Sequence, residues 1–107
     1  MKKNREPLTI RRFHEVNVTR SKDINHSREW SSMEWGCALS GEVGELCNFL
    51  KKMNRGDKIP KKWLAHEISD IMTYLSLTAD NLDIDLEAAL IKKFNLVSKR
   101  WGSKYIL

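Results

Sequence analysis

The chain has 107 residues, of which 31% are charged and 41% hydrophobic, and a net charge of +5. That length gives one hydrophobic core and little room for a second, in a composition ordinary for a globular protein. No apolar run approaches the ~20 residues of a membrane span, and Met1 to Arg5 lead into no signal-like apolar stretch. No membrane partner is therefore expected, and the expected location is cytoplasmic. The positive balance favours polyanions, but no zinc-finger spacing or RNA-binding aromatic signature accompanies it, so nucleic acid is disfavoured as a partner.

Residues 1–7 carry Lys2, Lys3 and Arg5, end at Pro7, and read as a flexible basic arm ahead of a single all-α domain over 8–107. From Leu8 to about Arg20 a modest helical period puts Phe13, Asn17 and Arg20 on one side. Residues 21–28 are polar, without periodicity, and predict a loop. Ser31-Ser32-Met33-Glu34 fits a capping box, so a second helix starts at Ser31 or Ser32. It runs to about Asn54, with Gly56 as the residue that ends it. Leu39, Val43, Leu46, Leu50 and Met53 form its apolar stripe. Glu42 projects into that stripe, and Glu45 sits at its edge beside Phe49. Gly41 and Gly44 each cost this helix about 1 kcal/mol relative to Ala, which suggests a close approach at Glu42 of a helix, a metal-bound water or a phosphate. Lys51 and Lys52 suit the helix end by their charge or, alternatively, a phosphate. Cys37 and Cys47 are ten residues apart on this helix, roughly 15 Å, too far for a disulfide. They are expected to be buried small hydrophobes. Trp30 and Trp35 flank the helix start and suit either stacking on a base or packing in a core or interface.

Pro60 fits the first turn of a third helix, which reaches about Leu82. In it Trp63, Leu64, Ile71, Tyr74 and Thr78 surround Glu67, with Asp70 at the margin. After a turn in which Asp83 or Asp85 is the N-cap, a last helix spans about Leu86 to Trp101. Lys93 falls inside its apolar stripe and Arg100 beside it. Gly102 ends it, and the tail to Leu107 has no pattern.

The two acidic pairs, Glu42 with Glu45 and Glu67 with Asp70, each place carboxylates at i and i+3 on one face. A single such pair is ordinarily a solvated face. Two pairs set in the apolar stripes of consecutive helices would repel one another and lose hydration. A divalent cation relieves both penalties, and an all-oxygen donor set favours Mg²⁺, or Mn²⁺, over zinc. A helix-bundle iron site would need Glu-x-x-His, whereas His66 directly precedes Glu67 and faces roughly 100° away.

An E-x-x-E followed about two dozen residues later by E-x-x-D resembles the MazG-like nucleotide pyrophosphohydrolases of the all-α NTP pyrophosphatase group. The resemblance runs from about Phe13 to Arg100. It implies a compact four-helix bundle-like fold, assembled as a dimer or a dimer of dimers with sites near subunit boundaries. It implies Mg²⁺ held by Glu42, Glu45, Glu67 and Asp70, and hydrolysis of a (deoxy)nucleoside triphosphate to the monophosphate and pyrophosphate. It places Lys93 and Arg100 on the phosphates, Tyr74 near sugar or phosphate, and Asn17 and Arg20 on the nucleotide. Lys52, Trp30 and Trp35 complete the candidate substrate contacts. Val97 stands where the family has an asparagine, and Asn95 is the nearest substitute. The alternative from another class is a non-catalytic nucleotide- or nucleic-acid-binding helical module, which has no use for four acids on facing stripes.

Overall fold

A computed structural model of the chain describes residues 6–24 and 29–107. Lys2, Lys3 and Arg5 of the basic arm, and residues 25–28 of the predicted loop, lie outside the described residues. The described residues form four helices and no strand. These are α1 (Ile10–Asp23), α2 (Ser32–Asn54), α3 (Lys61–Asn81) and α4 (Leu86–Arg100).

The ends follow from local chemistry. Thr9 caps α1 by accepting from the Arg12 N–H at 3.0 Å, so this helix starts two residues later than its apolar period suggests. It also runs past Arg20 to Asp23, because polar residues alone do not stop a helix. Ser31 and Glu34 form the reciprocal capping box at the head of α2. At its far end Gly56 has φ 102°, and the N–H groups of Gly56 and Asp57 return to the carbonyls of Met53 and Lys52. This closing motif needs a left-handed residue, which glycine adopts without strain. Gly102, at φ 68°, ends α4 in the same way. Asp83 takes that position after α3 at φ 55°, leaving Asp85 to cap α4 through the Ala88 N–H at 3.0 Å. Pro60 is the N-cap of α3, one place before the first turn.

Helix α3 is the axis of the fold. α2 lies along it on one side and α1 on another, while α4 packs on α1 and α3 and does not meet α2. Polar side chains tie α1 down: Asn17 is buried and donates to the Thr73 carbonyl at 2.9 Å. His14 Nδ1 lies 2.7 Å from the hydroxyl of fully buried Ser76, and Arg11 pairs with Glu87 of α4. Only Trp35 and Ala79 are buried hydrophobic residues among those described. Cys37 and Cys47 are exposed, against the expectation that they are buried, because the side of α2 away from α3 has no neighbour within the chain.

That side is part of a wider pattern. Val43 and Leu50 of α2, Trp63 and Ile68 of α3, and Leu90 and Phe94 of α4 are all exposed. The accessible surface is 8942 Å², whereas a compact monomer of 12.5 kDa would have about 6,200 Å². The radius of gyration is 16.6 Å against about 13 Å for a compact domain of this length.

Candidate metal centre and its cavity

Where α2 and α3 pack, Glu42 and Glu67 face each other. Carboxylate oxygens of Glu42, Glu67 and Asp70 all lie within 4.8 Å of one another. Glu42 and Glu67 are half-buried and Asp70 is exposed. One oxygen each of Glu42 and Glu67 (Oε2) is inaccessible to solvent and has no hydrogen-bond partner. Two carboxylate oxygens stripped of water and left unpaired are costly unless something positive meets them.

The electrostatics of the pair act in the same direction. Burial, then hydrogen bonding to Glu42 and Glu45, pushes Glu67 up from the usual 4.5 to about 7. Glu42 is also raised, mainly by burial, with the charges of Glu45 and Asp70 adding to it. A proton or a cation between these groups would relieve that pressure. Glu45 is exposed and stands outside the group of three, yet it is close enough to act on both Glu42 and Glu67. The donors are oxygen only, they converge, and Glu42 and Glu67 each carry a buried oxygen without a partner. This arrangement fits a hard divalent ion such as Mg²⁺ or Mn²⁺.

Asp70 is also where the carboxylates meet a cavity. This cavity, about 260 Å³, is walled by Asn17, Arg20, Trp30, Trp35, Asp70 and Tyr74. Trp30 and Trp35 pack with ring centroids 4.6 Å apart and a tilt of 56°, and Tyr74 lies 6.3 Å from Trp35. Trp35 is thus a core residue that also presents a face to the cavity. Asn17 is fixed by Thr73, and Arg20 reaches Asn17 Oδ1 at 3.4 Å. The aromatic wall offers a flat apolar slot, and the opposite side offers an amide and a guanidinium next to a carboxylate.

The fold brings Asn17, Arg20, Trp30, Trp35, Tyr74 and Asp70 around one cavity, and gathers Glu42, Glu67 and Asp70 beside it. Other candidates lie apart. Lys52 sits 6.0 Å from the Phe49 ring, towards the end of α2. Lys93, Asn95 and Arg100 are on α4, which does not touch α2. The amide of Asn95 is engaged elsewhere: it accepts from the Leu107 N–H at 2.8 Å and donates to the Leu107 carbonyl at 3.1 Å. One further cation, Arg12, stands near these groups. A second cavity of about 320 Å³ shares Asn17, Arg20 and Asp70 and adds Arg12. Its signal was present in the sequence: Arg12 precedes Arg20 by eight residues, about two turns, on the same side of α1.

The chain is similar to a nucleotide pyrophosphatase. It is 32% identical over 71 residues to dCTP pyrophosphatase 1 of Homo sapiens, and equally so to dCTP pyrophosphatase 1 of Rattus norvegicus. The match takes in 60% of this chain and 42% of each relative, so the chain spans less than half the length of the curated relatives it matches. No family model matches the chain.

Proposed function

We propose that this chain is a MazG-like nucleoside triphosphate pyrophosphohydrolase, cleaving a (deoxy)nucleoside triphosphate to the monophosphate and pyrophosphate. The observation that carries the reading is the convergence of Glu42, Glu67 and Asp70, with buried, unpartnered Oε2 atoms on the two glutamates, and with Asp70 lining a cavity together with Trp30, Trp35 and Tyr74. Similarity to dCTP pyrophosphatase 1 supports the reaction class and makes dCTP the first substrate to try.

Glu42, Glu67 and Asp70 would hold the ion, with Glu45 at the margin of the group. Bound there, Mg²⁺ would supply positive charge to the phosphates and make water a stronger nucleophile at neutral pH. The aromatic wall would take the base, and Tyr74, one turn after Asp70 on α3 and lining the same cavity, would meet the sugar. Asn17, already fixed by its bond to Thr73, presents its amide to the nucleotide at no further ordering cost. Arg20 supplies charge beside Asp70. Glu45, exposed and adjacent, is the carboxylate placed to accept a proton from the attacking water. The chain has no G-x-x-x-x-G-K-[ST] loop to present a γ-phosphate, which agrees with attack at the α–β linkage.

The test is product analysis. Incubated with dCTP and Mg²⁺ and resolved by ion exchange, the products are expected to be monophosphate and pyrophosphate. Diphosphate with orthophosphate would place the chemistry at the wrong bond, and binding without turnover would make the chain a nucleotide-binding module.

A second part of the proposal is assembly as a dimer or dimer of dimers. The surface excess of about 2,700 Å² over a compact monomer is in the range that permanent subunit interfaces bury. Lys93 and Arg100 then have a role only across a subunit boundary, because α4 does not reach α2 in its own chain. Sedimentation equilibrium is expected to give at least twice 12.5 kDa at micromolar concentration. A monomer of full helical content under those conditions would remove both the assembly and the role of those two cations.

A further inference from the structure

Two cavities lie back to back behind the aromatic pair. The 260 Å³ cavity next to Asp70 and a smaller one of about 150 Å³ share Trp30, Trp35, Ser21 and Leu77 as a common wall. Trp35 is fixed, being buried within α2. Trp30 lies outside the helix: it precedes α2, is half-buried, and packs on Trp35 alone among the aromatic rings described. Its backbone, however, is anchored from across the fold. Asn81, the last residue of α3 and a lining residue of the smaller cavity, donates from Nδ2 to the Trp30 carbonyl at 3.2 Å. The hydroxyl of Ser32 donates to Asn81 Oδ1 at 2.7 Å and so turns the amide with its NH₂ towards Trp30.

We propose that Asn81 is a latch that fixes Trp30 in the wall between the two cavities and thereby sets the shape of the pocket for a nucleobase. It is a positioning residue: it lines the smaller cavity and not the one beside Asp70, and acts on a ligand only through Trp30. The proposal rests on the reading of that cavity as the base pocket. An indole held in place offers its face with no ordering cost at the moment of binding, whereas a loose one must first be immobilised. With the latch cut, Trp30 gains freedom, the dividing wall weakens, and affinity for the base falls while the carboxylates, on other turns of α2 and α3, are untouched.

The experiment uses the full chain with Trp63→Phe and Trp101→Phe, which leaves Trp30 and Trp35 as the only indoles, and compares Asn81→Asp and Asn81→Ala in that background. Asp keeps the size of the side chain and loses the donor. A role in filling space would spare Asn81→Asp, whereas a latch makes both variants alike. Acrylamide quenching of the indole pair without nucleotide is expected to rise in both. In both, KM for dCTP is expected to rise roughly three- to tenfold, the span of one hydrogen bond, with kcat held within twofold. Unchanged quenching overturns the latch whatever the kinetics show. Raised quenching with unchanged KM in a chain that turns over overturns its part in binding. Failure of the unsubstituted chain to bind or hydrolyse any nucleotide is a failure of the proposed function and takes the binding half with it, while quenching, which needs no nucleotide, still decides the latch.

Discussion

Replacing Glu67 by Gln is expected to lower kcat/KM for dCTP by on the order of 10³-fold or more, about 4 kcal/mol of transition-state stabilisation. Glu67 is opposite Glu42, has one oxygen sealed from water, and supplies one of the three converging donors. The amide keeps the shape of the side chain and removes the charge that a divalent ion requires. The same change is expected to leave the melting temperature in cation-free buffer unaltered or raised. The reason is the direction of the titration: Glu67 is pushed up to about 7 because its charged form is disfavoured by burial and by its neighbours. A neutral isostere with an N–H to offer relieves that repulsion and gives Glu42 a donor. Loss of function with gain of stability is the signature of a site whose charges are assembled for a ligand. Glu45→Gln is expected to cost less than Glu67→Gln in ion affinity, because Glu45 is exposed and outside the converging three. Activity of Glu67→Gln within a few-fold of the parent, or a sharp fall in its melting temperature, would mean that the carboxylates are structural.

Legible in the sequence were the helix ends that carry a cap or a left-handed closure. The Ser31–Glu34 capping box, Gly56 and Gly102 fixed helix ends to within a residue, since caps and left-handed closures depend on neighbours three to five places away. Four acids were read as one group, Glu42 and Glu67 inside the apolar stripes of consecutive helices and Glu45 and Asp70 at their edges; the fold converges Glu42, Glu67 and Asp70 and leaves Glu45 outside that three. Two kinds of feature were not legible. Contacts that span the chain, such as Asn81 with Trp30 or Asn95 with Leu107, leave no periodic trace in a single sequence. Exposure of Cys37 and Cys47 also ran against the pattern. An apolar stripe tells which face of α2 seeks cover and says nothing of whether the cover comes from the same chain. The resemblance supplied Lys93 and Arg100, which lie on α4, a helix that packs on α1 and α3 and does not meet α2.

Withdrawal of divalent cations is expected to abolish turnover, and its effect on stability should depend on pH with a definite sign. The ordinary pKa of Glu67 is 4.5, which it has when unfolded, and in the folded chain it is about 7. Between these values the folded chain holds a proton that the unfolded chain has released, so in EDTA stability falls as pH rises across this window. The protonated pair is favourable at pH 4.5 and below, and that contribution is gone once pH has passed through about 7. Glu42, raised in the same direction, adds to the trend. A divalent ion does at pH 8 what the proton does at pH 5, so it should restore stability at alkaline pH and compete poorly with protons at acid pH. At 100 times its dissociation constant the ion would add about 2.7 kcal/mol. Melting curves in EDTA and in excess Mg²⁺ at pH 5 and pH 8 measure this directly, with dCTP turnover followed in the same buffers. The expected pattern is a large Mg²⁺-dependent rise in melting temperature at pH 8, a small one at pH 5, and no turnover in EDTA at either. Full turnover in EDTA would exclude the cation from the chemistry. A melting temperature at pH 8 that ignores Mg²⁺ would mean that the unpaired oxygens of Glu42 and Glu67 are not where the ion binds.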